Sequence, residues 1–393
     1  MKVLHLFNEY LPFSEIWAYN LLCEMENTDV VIGAFYYNDQ FKNEAFEFIP
    51  RKRSSEISEL LNNPATNIFR RINNKRRFSK LKADFQEIQN WITVNRPDLI
   101  HFHFGTTAVK FERIWNNSIN IPFVVSFYGY DYEKAIYDHP KLKEEYKMLF
   151  EKVSSVFVEG TNGVDLLSIL GLNRSKIKVL RLGVDTENIV FQKRKISRPL
   201  KFIQIANFLE KKGQVFIVEA VNQMQDIWKD KIHITLIGNH SSEYGTKVLD
   251  LIQEYNINSF FTIKGIIPYQ EIQKELRNNH VFIHPSCYAK DMDCEGGAPT
   301  ILLDAQASGM PIVSTLHCDI PSYVQHGNTG FLTPEKDVNG IIESINKFLE
   351  MDNSEYVEMC KSSRAHIEKD YNVKQNARLI EQEYANFTAA KYE

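Results

Sequence analysis

A chain of 393 residues is too long for one hydrophobic core, so two domains of ordinary size are expected. With 44% hydrophobic and 24% charged residues the composition is that of a soluble globular protein, and a net charge of −4 singles out no partner. The five cysteines are odd in number and lack Cys-x-x-Cys spacing, which argues against a disulfide framework or zinc ribbon and fits a reducing cytoplasm.

The opening residues MKVLHLFNEYLPF carry one Lys and a short apolar run broken by His, Asn and Glu. They read as a first strand over Val3 to Phe7 rather than as a signal peptide. No stretch reaches the roughly 18 apolar residues of a membrane span, so contact with a membrane would be peripheral. The loop Asn8 to Phe13 follows, then Ser14 as N-cap of a helix through Met25. In an open parallel sheet, ligands bind beyond the carboxyl ends of strands. Pro12, Phe13, Ser14 and Glu15 therefore stand where an acceptor or phosphate would lie, although Glu15 also suits a first helical turn by its charge alone.

Residues 49–85 hold the strongest charge bias, with Arg51, Lys52, Arg53, Arg70, Arg71, Lys75, Arg76 and Arg77 interleaved with Leu60, Leu61, Ile68, Phe69 and Ile72. The pattern suits a segment resting on anionic lipid or on a phosphate-bearing acceptor, and equally a solvated basic surface. Nucleic acid is not expected, because no recognisable nucleic-acid module accompanies it. Two apolar strands come next, Leu99 to Phe104 before Gly105, and Phe123 to Phe127 before Tyr128-Gly129-Tyr130-Asp131. A strand at Ser155 to Glu159, a helix capped near Thr161 and Asn162, and a strand at Ile177 to Leu180 complete the first half. Periodicity is then lost from Thr186 to Pro199, which marks the boundary between domains near residue 190.

The second half restarts with a strand from Lys201 to Ala206 and the turn Asn207 to Gly213, which carries Lys212. Strands at His233 to Gly238 and Phe260 to Gly265 alternate with helical stretches at Glu243 to Glu254 and Tyr269 to Asn279. Such alternation predicts a parallel, doubly wound α/β sheet. Asp291-Met292-Asp293 has the spacing of a metal-binding Asp-x-Asp, but it precedes a Gly-rich helix start and reads as a polar loop, so no metal is expected.

The stretch DCEGGAPTILLDAQASGMPIVST, Asp293 to Thr315, reads as turn, helix and strand. Gly296 and Gly297 free the backbone, Pro299 suits the first helical position, and Gly309 sits at a C-terminal cap. Glu295 stands before the helix and Asp304 on it, with the exposed N–H groups of the helix start between them. Carboxylates suit neutral hydroxyl donors such as sugar or ribose, and bare N–H groups suit phosphate. Apolar-periodic stretches at Val338 to Met351 and Glu355 to Tyr371, then a polar helix from Val373 to Tyr392, end the chain.

This Glu, Gly-rich turn and helical acid resemble the signature of glycosyltransferase family 4, retaining enzymes of the GT-B fold, with Asp304 where Glu is usual. Other segments resemble that family too. His101-Phe102-His103-Phe104-Gly105 resembles its HxHFG element, and Phe127 to Asp131 its FHGxD element with Tyr128 replacing the His. Arg181 to Asp185 resembles the hinge phrase PNGVD, and Asn207 to Gly213 the GRxxxxKG motif, with Asn207 in place of Arg. His317 to Pro321 and Gly327 to Leu332 resemble its closing motifs.

The resemblance implies two Rossmann-like domains flanking a cleft, 1–190 for the acceptor and 191–370 for the donor, with 371–393 packing back on the first. It implies a nucleoside diphosphate sugar donor, uridine by family prevalence, and a saccharide or lipid-linked acceptor of surface polysaccharide synthesis, with no further cofactor. Glu295 would meet donor sugar hydroxyls beside Gly296, Gly297, Ala298, Pro299 and Thr300, with Asp304 on the ribose. Lys212 and position Asn207 would face the diphosphate, Gly265 and Ile266 the base, and Tyr128 and His103 the sugar-facing wall. A sugar-nucleotide epimerase of the same fold and a non-catalytic nucleotide-sugar-binding homologue are the alternatives, the second because Tyr128 and Asn207 replace expected functional residues.

Overall fold

The computed structural model describes residues 1–10, 16–37, 43–49, 67–116 and 120–389. Two parallel sheets organise them. The first contains β1 (Lys2–Tyr10), β2 (Asp29–Tyr37), β3 (Glu47–Ile49), β4 (Leu99–His103), β5 (Phe123–Ser126), β6 (Ser155–Val158) and β7 (Ile177–Val179). Their spatial order is β3-β2-β1-β4-β5-β6-β7. The second contains β8 (Leu200–Ile205), β9 (Ile232–Ile237), β10 (Phe261–Lys264), β11 (Val281–His284), β12 (Ile312–Thr315) and β13 (Gly330–Thr333), in the order β10-β9-β8-β11-β12-β13. Both are doubly wound α/β sheets of the Rossmann type, as expected, and strand order reverses between β1 and β4 and between β8 and β11.

The strands read as apolar runs because helices cover both faces. In the first sheet Leu4, Leu6, Ile100, Phe102, Val125 and Val156 point to one side, where Ile88, Ile92, Phe111, Ile114 and Leu149 meet them. Val3, Leu99, Val124 and Phe157 point to the other and pack with Leu21 and with Val373, Ala377, Ile380 and Tyr384. The last four lie on the C-terminal helix Val373–Ala389, which thus covers the N-terminal sheet. Its approach is fixed where the chain crosses twice: Val184 N–H donates to Tyr371 O at 2.9 Å, and Val373 N–H returns to Val184 O at 3.2 Å. A Cβ on Gly183 would sit 2.4 Å from Val373 Cα, so the crossing strands need a glycine there.

Of the basic segment, residues 50–66 lie outside the described residues, and Asn67–Asn95 form one helix whose Ile88 and Ile92 enter the core. Among the described residues no helix is long and apolar enough to cross a membrane.

Candidate active site

The reversal between β8 and β11 places the loops after both strands at one crevice, the position where open α/β sheets bind ligands. The loop after β8 turns at Gly213 (φ +70°), where a Cβ would lie 2.0 Å from Pro285 O. That turn delivers Lys212, whose Nζ donates to Glu295 Oε1 at 2.8 Å and Oε2 at 2.6 Å. Ser286 Oγ donates to Glu295 Oε1 at 2.9 Å, and His284 Nε2 stands 3.5 Å from the same oxygen. Glu295 N–H donates to His317 Nε2 at 3.1 Å. Burial opposes charge on the Glu295 carboxyl, but Lys212, His284 and Lys211 outweigh it and hold its pKa well below the usual range. The result is a carboxylate and an ammonium, largely dehydrated, at the mouth of the second sheet.

Asp304 lies on the helix Ile301–Ala307, and its residue is 8% exposed, so it faces protein and not bulk water. Burial pushes its pKa up to about 7, and only Tyr269, whose hydroxyl stands 3.5 Å from Oδ1, opposes that shift. Pro299 is not the first helical residue as expected. Its carbonyl accepts Leu302 N–H at 3.0 Å in a tighter turn, and the helix proper starts at Ile301. Thr300 occupies the cap without a side-chain bond. Gly265 and Ile266 follow β10 on the exposed surface. Asn207 is exposed as well, and its Oδ1 accepts Asn239 N–H at 3.2 Å.

Two of the N–H groups before this helix already have acceptors: Gly297 N–H donates to Glu295 O at 2.9 Å, and Ala298 N–H is taken by the first domain. Glu159, at the end of β6, reaches across the domains and accepts a hydrogen bond from Ala298 N–H. Its Oε2 would lie 1.6 Å from a Cβ on Gly297. Burial, with Asp319 and Cys318 adding to it, pushes the Glu159 carboxyl up to about 8, so it is neutral at pH 7. Neighbouring contacts close the same seam. A Cβ on Gly296 (φ +73°) would fall 1.6 Å from Gly129 Cα, and Asn162 Nδ2 donates to Gly296 O at 2.8 Å. The helix Thr161–Ile169 is not capped by its own side chains. Asp319 of the second domain caps it, accepting Asn162 N–H at 2.9 Å, and Gly160 leaves room for that carboxylate.

On the first domain, His103 Nδ1 and Tyr128 hydroxyl lie 3.2 Å apart, and His103 Nε2 is 3.0 Å from His5 Nδ1. The Tyr128 ring packs between Trp17 and Phe104, each with a centroid distance of 4.7 Å. Both predicted wall residues are therefore buried, at 1% and 8% exposure, and the structure brings them to one another. Their link to the Glu295 loop is the backbone of Gly129. Asp131 is structural: its carboxylate accepts Tyr128 N–H at 3.1 Å and Thr106 N–H at 3.0 Å, clasping the loops after β4 and β5. Pro12, Phe13, Ser14 and Glu15 lie outside the described residues. In the Asp-x-Asp, Asp291 pairs with Lys134 at 3.1 Å and Asp293 with Lys211 at 2.9 Å.

Sequence reasoning missed Glu159, Asn162 and the capping role of Asp319. The rule that strand ends carry ligands could have singled out Glu159, which follows Val158 at the end of β6.

Comparison with known proteins bears on this crevice. The family model described as "Glycosyl transferases group 1" matches residues 185–367, the half that holds Lys212, Glu295 and Asp304. The colanic acid biosynthesis glycosyltransferase WcaL of Escherichia coli (strain K12) is 30% identical over 285 residues, 70% of this chain and 68% of that one. The amylovoran biosynthesis glycosyltransferase AmsK of Erwinia amylovora is 27% identical over 278 residues, 70% of this chain and 66% of its own. Among solved structures, HepE of Anabaena in complex with UDP and glucose superposes with a TM-score of 0.74 at 14% identity, covering 98% of this chain and 99% of its own. Sucrose-phosphate synthase of Thermosynechococcus elongatus gives 0.75 at 14% identity, covering 99% of this chain and 100% of its own. At such identity these structures speak for the fold alone, which is GT-B. With the family match over residues 185–367 and a 30% identical relative covered over two thirds of its length, the chain belongs to the group 1 glycosyl transferases and is a glycosyltransferase.

Proposed function

We propose that the protein moves a hexosyl unit from a uridine diphosphate sugar to a saccharide or lipid-linked acceptor of surface polysaccharide synthesis, with retention of anomeric configuration. The observation that carries the reading is the Lys212–Glu295 pair at the strand-order reversal of the second sheet. On donor binding Lys212 exchanges part of its bond to Glu295 for the diphosphate, where a cation stabilises the charge of the leaving group. Glu295, with Gly296, Gly297, Ala298, Pro299 and Thr300 beside it, receives the sugar hydroxyls. Asp304 takes the ribose, Gly265 and Ile266 the base, and Asn207 borders the phosphates. Tyr128 and His103 support the sugar-facing wall, and the loop 12–15 meets the acceptor.

The first domain, 1–190, is assigned to the acceptor and the second, 191–370, to the donor, with 371–393 returning to the first. Engagement of Asp291 and Asp293 by lysines supports metal-independent handling of the diphosphate. A lipid-linked acceptor places the protein at the cytoplasmic face of a membrane, with basic residues 49–85 as the contact. The relatives named for colanic acid and amylovoran synthesis support the acceptor class.

Thermal shifts against UDP, UDP-sugars, GDP and ADP test the donor site, since ligand binding raises apparent stability by mass action. A uridine-dependent rise that Lys212→Ala removes is expected, and no rise with any nucleoside diphosphate overturns it. Product anomers read by NMR test retention. Conversion of the donor without acceptor identifies an epimerase instead, and donor binding without turnover over an acceptor panel a non-catalytic homologue.

A further inference from the structure

Beside the candidate donor crevice, three groups from distant parts of the chain converge on one point. They are Glu133, which ends the helix Gly129–Tyr132, Cys294, which precedes Glu295, and Cys318, in the loop after β12. One donor atom of each lies within 4.8 Å of the other two. Cys294 is buried, and Glu133 and Cys318 are half-buried. Cys294 Sγ donates to Glu133 Oε2 at 2.7 Å.

An outer layer orients the set. Tyr288 hydroxyl donates to Glu133 Oε1 at 2.6 Å and lies 4.0 Å from Cys318 Sγ. His317 Nε2 is 3.2 Å from Cys318 Sγ, and its Nδ1 is held by Glu335 Oε1 at 2.7 Å. Metal ligands are characteristically fixed by such outer hydrogen bonds. The backbone of Cys318 is left-handed (φ +47°), a conformation non-glycine residues hold only where the surroundings impose it, and here it belongs to a residue of the cluster.

Charge points the same way. Among the described residues Glu133 forms no salt bridge with Lys or Arg, so a carboxylate and two thiols meet with the His317 ring beside them. Two sulfurs and one carboxylate are the donor set of a borderline-soft divalent ion, whereas calcium and magnesium take oxygen.

We propose that Glu133, Cys294 and Cys318 form a zinc site that ties the two domains together across the seam. Zinc–sulfur and zinc–oxygen bonds of about 2.3 and 2.0–2.2 Å place tetrahedral donors roughly 3.5 Å apart, so small side-chain shifts assemble the site. Binding replaces the thiol protons, leaving two thiolates and one carboxylate on the ion. Water takes the fourth position, because the Nε2 lone pair of His317 already receives Glu295 N–H at 3.1 Å. The site stands independently of the donor assignments.

The test uses the reduced full-length chain, stripped with chelator and titrated with Co2+, Cd2+ and Zn2+. One ion per chain is expected, with tetrahedral Co2+ bands, a thiolate-to-Cd2+ ultraviolet band, and displacement by Zn2+. Cys294→Ser and Cys318→Ser should each weaken Zn2+ binding at least tenfold and reduce the sulfur band. Glu133→Gln should keep the sulfur band while weakening binding, since it removes only the ligand from the first domain. In case a cysteine variant fails to fold, alkylation of the unmutated chain with peptide mass analysis gives a second readout. Zn2+ should protect Cys294 and Cys318 and leave the exposed Cys23 labelled. Absence of the sulfur band, protection of other cysteines, or unchanged affinity in Glu133→Gln overturns the proposal. So does a chain that forms a Cys294–Cys318 disulfide and takes up no Zn2+.

Discussion

Asp304→Asn is the substitution whose consequence follows most directly from the structure. Burial pushes the Asp304 carboxyl up to about 7 from the ordinary carboxylate value of about 4. Below the unfolded value both states are protonated and the group costs nothing. As pH rises from about 4 to about 7 the unfolded chain releases the proton while the folded one keeps it, so stability falls with a slope of about 1.4 kcal/mol per pH unit. Above about 7 both states are ionised and the loss is constant, with a ceiling of about 4 kcal/mol over those roughly 3 units. An amide removes the titration but brings its own buried hydrogen-bonding needs, at about 1 kcal/mol. The variant should therefore be more stable than the parent by about 2–3 kcal/mol at pH 8, and by nothing or less at pH 4. Urea denaturation of both proteins across that range reads the difference directly. UDP affinity should move the other way. In the parent it strengthens through pH 7, as the ionised carboxylate accepts ribose hydroxyls, and in the variant it is weaker and flat. A stability difference that does not change with pH, or an Asn variant less stable at pH 8, refutes a buried high-pKa carboxyl at this position.

Lys212→Met leaves the Glu295 carboxylate buried without its ammonium, which should cost about 3–5 kcal/mol in denaturant unfolding, while Lys212→Arg keeps most of it. A cost under about 1 kcal/mol would mean that the pair is solvated and weak. Gly296→Ala sets a Cβ 1.6 Å from Gly129 Cα at a φ of +73°, so the seam must open, measurable as a larger radius of gyration in solution scattering and a loss of transfer. An unchanged radius and rate would show that this contact is dispensable. Tyr384→Phe removes the hydroxyl that pairs with buried His101 and should cost about 1–3 kcal/mol, lowering the melting temperature. An unchanged melting temperature would show that the Tyr384–His101 bond adds nothing to the hold on the C-terminal helix.

Much of this architecture is local in origin. Apolar runs bounded by turn residues mark β8, β9, β11 and β12 because a strand covered on both faces needs no polar alternation. The turn at Gly296 and the cap at Gly309 (φ +79°) were legible for the same reason, since their backbone geometry favours glycine wherever they occur. Glu295, Lys212 and Asp304 could be singled out because each sits in a recognisable motif. What the residues around them do was not legible. Lys212 meets Glu295 across 83 positions, Asn162 meets Asp319 across 157, and Cys294 meets Glu133 across 161. Contacts at that separation depend on strand order and on how the second domain seats against the first, and no periodicity encodes either. Burial likewise follows only from the assembled fold: it keeps Glu159 neutral and turns Tyr128 toward His103 and Trp17. The sequence by itself determined two doubly wound sheets and the loops that end at their crevices. The tertiary structure alone decided which acids lose their water, and therefore which of them carry charge.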